Sequence, residues 1–171
     1  MKHGLPVILC LVLLVCFGCQ QKVTQAPVDL ESIRQELATG MQAYAQAWSN
    51  KDMEAIGTMW SHDDDITIWG PAKRDRVQGW EGPNGVKAWY ETAMAGMSKV
   101  DFKINDLLIK VSQDGNAAVI TYYVENDFID MNGKPGKMTP RVTVVKVKQD
   151  GMWKQIHGDA SFGIEEVQAM K

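Results

Sequence analysis

A chain of 171 residues with 45% hydrophobic content is the size of one globular domain. A formal net charge of −3 leaves no basic footprint, which excludes nucleic acid as a partner class. All three cysteines fall within the first twenty residues, so the remainder of the chain has no intradomain disulfide.

The chain opens with Lys2 and His3, followed by an apolar run over 5–17. The run is short for a membrane span and matches the apolar region of a secretory signal. It closes on Cys16-Phe17-Gly18-Cys19, which resembles a bacterial lipobox: a small residue stands directly before a cysteine that would be lipidated. Phe17 and Cys16 are unusual at the two preceding positions. The plainer alternative is an ordinary signal peptide or an uncleaved anchor with cysteines as small apolar filler. The expected division is a signal peptide over 1–18, a tether over 19–28, a domain over 29–165 and a tail over 166–171. Cys19 would carry the lipid, whose chains contribute about 0.8 kcal/mol per buried CH₂. Gln20 after the cysteine, in lipoproteins of this type, directs export to the outer membrane. The expected location is therefore the cell envelope, facing the periplasm.

Asp29 is placed to cap a helix whose apolar residues Leu30, Ile33, Leu37, Met41, Tyr44 and Trp48 step by three or four. Gly40 within it costs about 1 kcal/mol relative to Ala, which suggests a close neighbour there. Ser49-Asn50-Lys51-Asp52 breaks the helix, and Asp52 can cap a second one with the face Met53, Ile56, Met59 and Trp60. His62-Asp63-Asp64-Asp65 is a polar turn before a strand that stops at Gly70-Pro71. A charged connection over 72–75 leads to a returning strand over 76–80. Gly82-Pro83 opens a third helix with the face Val86, Trp89, Tyr90, Ala93, Met94 and Met97.

From Val100 the period becomes two. Val100, Phe102 and Ile104 alternate with polar residues, and Leu107, Ile109 and Val111 continue on the opposite parity. One extra residue near Asn105-Asp106 restores a continuous face, as a β-bulge does. Strands over 117–129, 139–149 and 152–162 follow, separated by the turn signals Asp114-Gly115, Asn132-Gly133 with Pro135-Gly136, and Asp150-Gly151. Helices gathered on one face of an antiparallel sheet give an α+β domain. With a bent sheet, the expected shape is a cone-shaped curved antiparallel sheet packed on three helices.

Three stretches carry a family resemblance. They are Tyr44…Trp48-Ser49…Asp52-Met53-Glu54-Ala55-Ile56…Met59-Trp60…Asp64-Asp65 with Gly70-Pro71; Gly79 to Gly85 with Val86, Trp89 and Tyr90; and Gly151-Met152-Trp153-Lys154-Gln155-Ile156-His157…Ser161. Together they resemble the nuclear transport factor 2-like superfamily, which includes SnoaL-like proteins and ketosteroid isomerases. The resemblance implies a cone with an internal pocket and a homodimer through the sheet. It implies no one function, because this fold carries isomerases, hydrolases, dehydratases and binding modules. Isomerase chemistry needs an Asp base, a Tyr and a protonated Asp. Tyr44 aligns with the Tyr, but the base position is Gly70, and no carboxyl stands around 143–145. That chemistry is not expected.

His157, Asp159 and Ser161 alternate along the last strand, about 6.6 Å apart along its axis, too far for direct nucleophile–base contact. A polar stripe facing the pocket, with His157 as acid or base, competes with a plain interior histidine. Arg141 can pair with Glu125 or Asp127 across a hairpin, or with a ligand carboxylate. The run 62–65 does not converge on a point, so no metal site is expected, and no phosphate loop or cofactor motif is present. Tyr44, Trp48, Trp69, Trp89, Tyr122, Arg141 and His157 are the expected pocket residues. The leading expectation is a domain that binds a small, largely apolar molecule. The alternatives are an enzyme using His157 with Tyr44 or Arg141, and an assembly module working through the sheet face.

Overall fold

The computed structural model describes residues 27–70 and 76–163. The signal segment, Cys19, most of the tether, Pro71, the charged connection and the tail lie outside these residues. Helix α1, Leu30–Asn50, starts where the Asp29 carboxylate accepts hydrogen bonds from the Glu31 and Ser32 amides. Its apolar stripe is buried through Leu37, Met41, Tyr44, Ala47 and Trp48. It ends at Lys51, whose left-handed backbone (φ 57°) turns the chain and whose ammonium donates to the Met97 carbonyl. Helix α2, Met53–Met59, is capped by Asp52 through the Ala55 amide. Gly40 has no neighbour within 4 Å of a built Cβ, so the close packing expected there is absent.

Strands β1 (Thr67–Trp69) and β2 (Arg76–Gln78) form the short hairpin. Helix α3, Val86–Ala95, begins later than Pro83 suggests. Gly85 is its N-cap because a side chain there would collide with the carbonyls of Trp80 and Glu81. Five strands follow: β3 (Met97–Val111), β4 (Ala117–Asp130), β5 (Pro135–Met138), β6 (Arg141–Gln149) and β7 (Met152–Ser161). The segment read as a turn at Pro135-Gly136 is the start of β5, which pairs with β4.

The strand order is β2-β1-β7-β6-β4-β3, with β5 beside the far end of β4. The sheet is mixed rather than wholly antiparallel, because β1 runs parallel to β7. A parallel neighbour needs a long connection, and everything from β2 to β6 supplies it. The expected bulge lies in β3, where the register shifts between Asn105 and Leu108 and Asp106 adopts φ 51°. A second register shift falls between Val145 and Lys146, opposite Ile156 in β7. These irregularities curve the sheet around α1, and the core of Met41, Ile56, Trp60, Val86, Tyr90, Ile120 and Val144 fills the space between.

Candidate functional site

The inner face of β4 presents Ile120, Tyr122, Val124 and Asn126 at every second position. Opposite it, α1 contributes Tyr44 and Trp48, and α3 contributes Trp89, Tyr90 and Ala93. Between them lies a cavity of about 170 Å³, walled further by Phe102, Val142, Val144, Gly158 and Ala160. Its surface is overwhelmingly apolar, and the volume matches a molecule of one or two rings.

Aromatic packing builds the wall. Trp48 stacks on Phe102 with ring centroids 5.3 Å apart and planes 4° from parallel. Trp89 meets Tyr90 edge to face at 5.2 Å, and Tyr44 meets Phe102 the same way at 6.1 Å. At the base, the Tyr44 and Tyr90 hydroxyls are 2.7 Å apart, and Trp60 Nε1 donates to the Tyr90 oxygen at 3.1 Å.

Three N–H or O–H donors enter this chain and two hydrogen bonds use them. Whichever phenol donates to the other, one phenolic proton is left for a further acceptor. Burial raises the pKa of Tyr44 above its ordinary value, opposed by its hydrogen bond to Tyr90 and by the nearby Trp48 indole N–H. Burial also raises Tyr90 and Tyr122 well above theirs, reinforced in both by the neighbouring Tyr44. All three phenols are neutral at physiological pH, so they serve as hydrogen-bonding groups rather than as phenolate bases. Trp48 Nε1 approaches Tyr44 without a well-formed hydrogen bond, and Asn126 Oδ1 has no partner; both atoms are buried. The packing around the cavity thus leaves one donor beside Tyr44 and one acceptor further along β4 unpaired behind the wall.

Tyr44, Trp48, Trp69, Trp89 and Tyr122 come together around this cavity, with Trp69 at the rim, 47% exposed and under the Arg76 guanidinium. His157 and Arg141 do not line it. In β7, Trp153 and Gln155 face inward, and the extra residue Ile156 then reverses the parity, so Gly158 and Ala160 face inward next. His157 pairs with Val145 and Thr67 on the opposite face, where its Nδ1 lies 2.7 Å from the Thr67 hydroxyl. The acid–base role expected of His157 toward a pocket ligand is therefore corrected: the bulge turns the ring away. It also separates His157 from Trp153, which the unbroken alternation places on one face.

Arg141 is exposed and donates to Ser161. Glu125 and Asp127 pair with Lys137 instead, since β5 brings that lysine alongside them. Tyr90, Phe102 and Asn126 are wall residues missed in the sequence. Asn126 was legible in principle, four positions along β4 from Tyr122 and so on the same face. Asp159 stands exposed at the rim, beside Trp69 in the β1–β7 register. Among the described residues, no group of three or more His, Cys, Asp or Glu is placed to hold a metal ion.

Residues 37–165 match the family model of the SnoaL-like domain. No curated protein sequence matches the chain. Among solved structures, a nuclear transport factor 2-like superfamily protein from Salmonella enterica serovar Typhimurium is similar, with a TM-score of 0.69 and 23% identity. The match covers 80% of this chain and 98% of that one. A proposed dehydratase of the same family from Streptomyces avermitilis has a TM-score of 0.67 at 17% identity, covering 78% and 98%. The association domain of C. elegans CaMKII has a TM-score of 0.61 at 21% identity, covering 77% and 97%. At such identities the likenesses establish the fold alone.

Proposed function

The chain belongs to the SnoaL-like domain family, and from that premise we propose that it binds a small, largely apolar molecule in the cone. The observation that carries this reading is the aromatic cavity, at whose base the Tyr44–Tyr90 pair keeps one phenolic proton unused. The ligand that answers this site has a flat apolar body and an oxygen acceptor for the Tyr44–Tyr90 end. Native mass spectrometry of protein purified from its host tests the reading. A reproducible small-molecule adduct is expected, and it is lost in Ala93→Trp, which fills the cavity from α3. A wild-type protein that carries no adduct and takes up no aromatic alcohol on titration overturns it.

A second reading concerns assembly through the outer sheet face. Leu108, Val119 and Tyr123 stand 42–53% exposed there, and Val119 lies opposite Val145 in the register. One structural relative is itself an association domain. A second copy of this chain is the occupant proposed for that face. Sedimentation of wild type and Tyr123→Glu tests it: a dimer that becomes a monomer supports the interface, and a monomeric wild type removes it.

The envelope location rests on the sequence around Cys19. Metabolic labelling with a fatty acid is expected to mark the wild type and not Cys19→Ser, and equal labelling of both overturns the anchor.

A further inference from the structure

At the opposite end of the inner sheet face lies a second cavity of about 270 Å³, walled by Glu36, Leu37, Gly40, Met59, Lys146, Gly151, Met152 and Trp153. It shares no lining residue with the aromatic cavity. Its central feature is Lys146, which points inward from β6 opposite Gln155 and is only 4% exposed. Buried lysines ordinarily pair with a carboxylate or donate to carbonyls, because an unpaired interior charge is costly. Among the described residues, Lys146 makes no ion pair and no side-chain hydrogen bond. The nearest basic neighbour, Lys154, gives its ammonium to the Thr58 carbonyl instead. Glu36, on the same cavity, makes no ion pair with Lys146.

Nζ of Lys146 is not among the sealed polar atoms, so the residue's small accessible surface opens at its ammonium, and the cavity is where it opens. Trp153 belongs to the same wall, with its own Nε1 sealed and without a partner. Apart from Glu36, the other side chains of the wall are apolar, from Leu37, Met59 and Met152, and the wall at Gly40 is bare backbone with open space where a side chain would stand.

We propose that this cavity binds a small-molecule carboxylate with an apolar body, its carboxylate held by Lys146. A buried ammonium that no carboxylate pairs asks for an anion, and a charge-assisted hydrogen bond is the strongest contact it can make. Leu37, Met59, Met152 and the space over Gly40 accommodate the apolar part. The low pKa of Lys146, about 8 and lowered by burial and by Lys154, agrees with an ammonium that lacks its counter-ion. At neutral pH the group is still protonated.

Octanoate is the probe, with octanol and acetate as the two halves of its chemistry. Binding is followed by the indole N–H resonances of the full chain, assigned with Trp→Phe variants. Octanoate is expected to shift the Trp153 signal saturably, with octanol and acetate at least 10-fold weaker. Lys146→Met, which keeps the stem and removes the charge, is expected to weaken octanoate at least 10-fold. Gly40→Leu, which leaves Lys146 untouched and fills the cavity from α1, is expected to do the same, so the result does not depend on one variant folding. The proposal is overturned if octanoate leaves the Trp153 signal unmoved or moves only Trp48 in the aromatic cavity. Equal affinity for octanol, or unchanged affinity in both variants, overturns it as well.

Discussion

Single side chains carry the chemistry of both cavities, and their energetics can be checked without knowing a ligand. Tyr90 accepts from Trp60 and shares its hydroxyl with Tyr44, all three buried. Tyr90→Phe leaves the Trp60 indole N–H without an acceptor, and an unsatisfied buried donor costs about 1–3 kcal/mol. Urea unfolding is expected to show a loss in that range, with an unchanged slope. Lys146 is the opposite case. Its charge is buried without a partner, so Lys146→Met is expected to stabilise the apo protein at pH 7 by about 1–3 kcal/mol, read as a raised unfolding midpoint. The pH dependence has a definite sign. The folded pKa is about 8 against an ordinary 10.5, so between these values the unfolded chain binds more protons. Wild-type stability should rise as pH increases from about 8 to 10.5, by up to about 3 kcal/mol if nothing else titrates. Lys154 beside it and Glu36 across the cavity are the other ionisable groups facing this lysine. The rise should be absent in Lys146→Met.

Among the elements, α1 and β4 frame the aromatic cavity and the two bulges aim its other walls. Gly40 lies in α1 with open space around it, so the helix bears the propensity cost of glycine with no packing return. Gly40→Ala is expected to stabilise the protein by about 1 kcal/mol, measured by thermal or chemical unfolding. Asp106 holds the bulge of β3 in a left-handed conformation, where a β-branched side chain is strained. Asp106→Val should cost about 1–2 kcal/mol, while Asp106→Gly should be neutral or better. The bulge in β3 was readable because Val100, Phe102 and Ile104 change parity to Leu107, Ile109 and Val111. The one in β7 was not. Nothing apolar in Ile156-His157-Gly158 marks a reversal, because small Gly158 and Ala160 face inward while Ile156 is only half-buried. That single residue decides that His157 faces Thr67 instead of the cavity.

In the whole molecule, two cavities lie on the inner sheet face and a partly apolar outer face stands opposite. The sequence by itself determined the α1 stripe, the Asp29 and Asp52 caps, the order of helices and strands apart from β5, and the SnoaL-like character. Each of these rests on local periodicity, capping or turn chemistry, which neighbours in sequence suffice to specify. It also identified five of the aromatics that meet around the cone, since large apolar rings on inward stripes must converge. Only the tertiary structure decided that β1 lies parallel to β7, that Arg141 and His157 leave the site, and that Asn126 enters it. Only the tertiary structure left Lys146 in the interior without a counter-ion. These depend on the strand register and on which charges fail to meet across it, and a register is set by contacts between segments far apart in the chain.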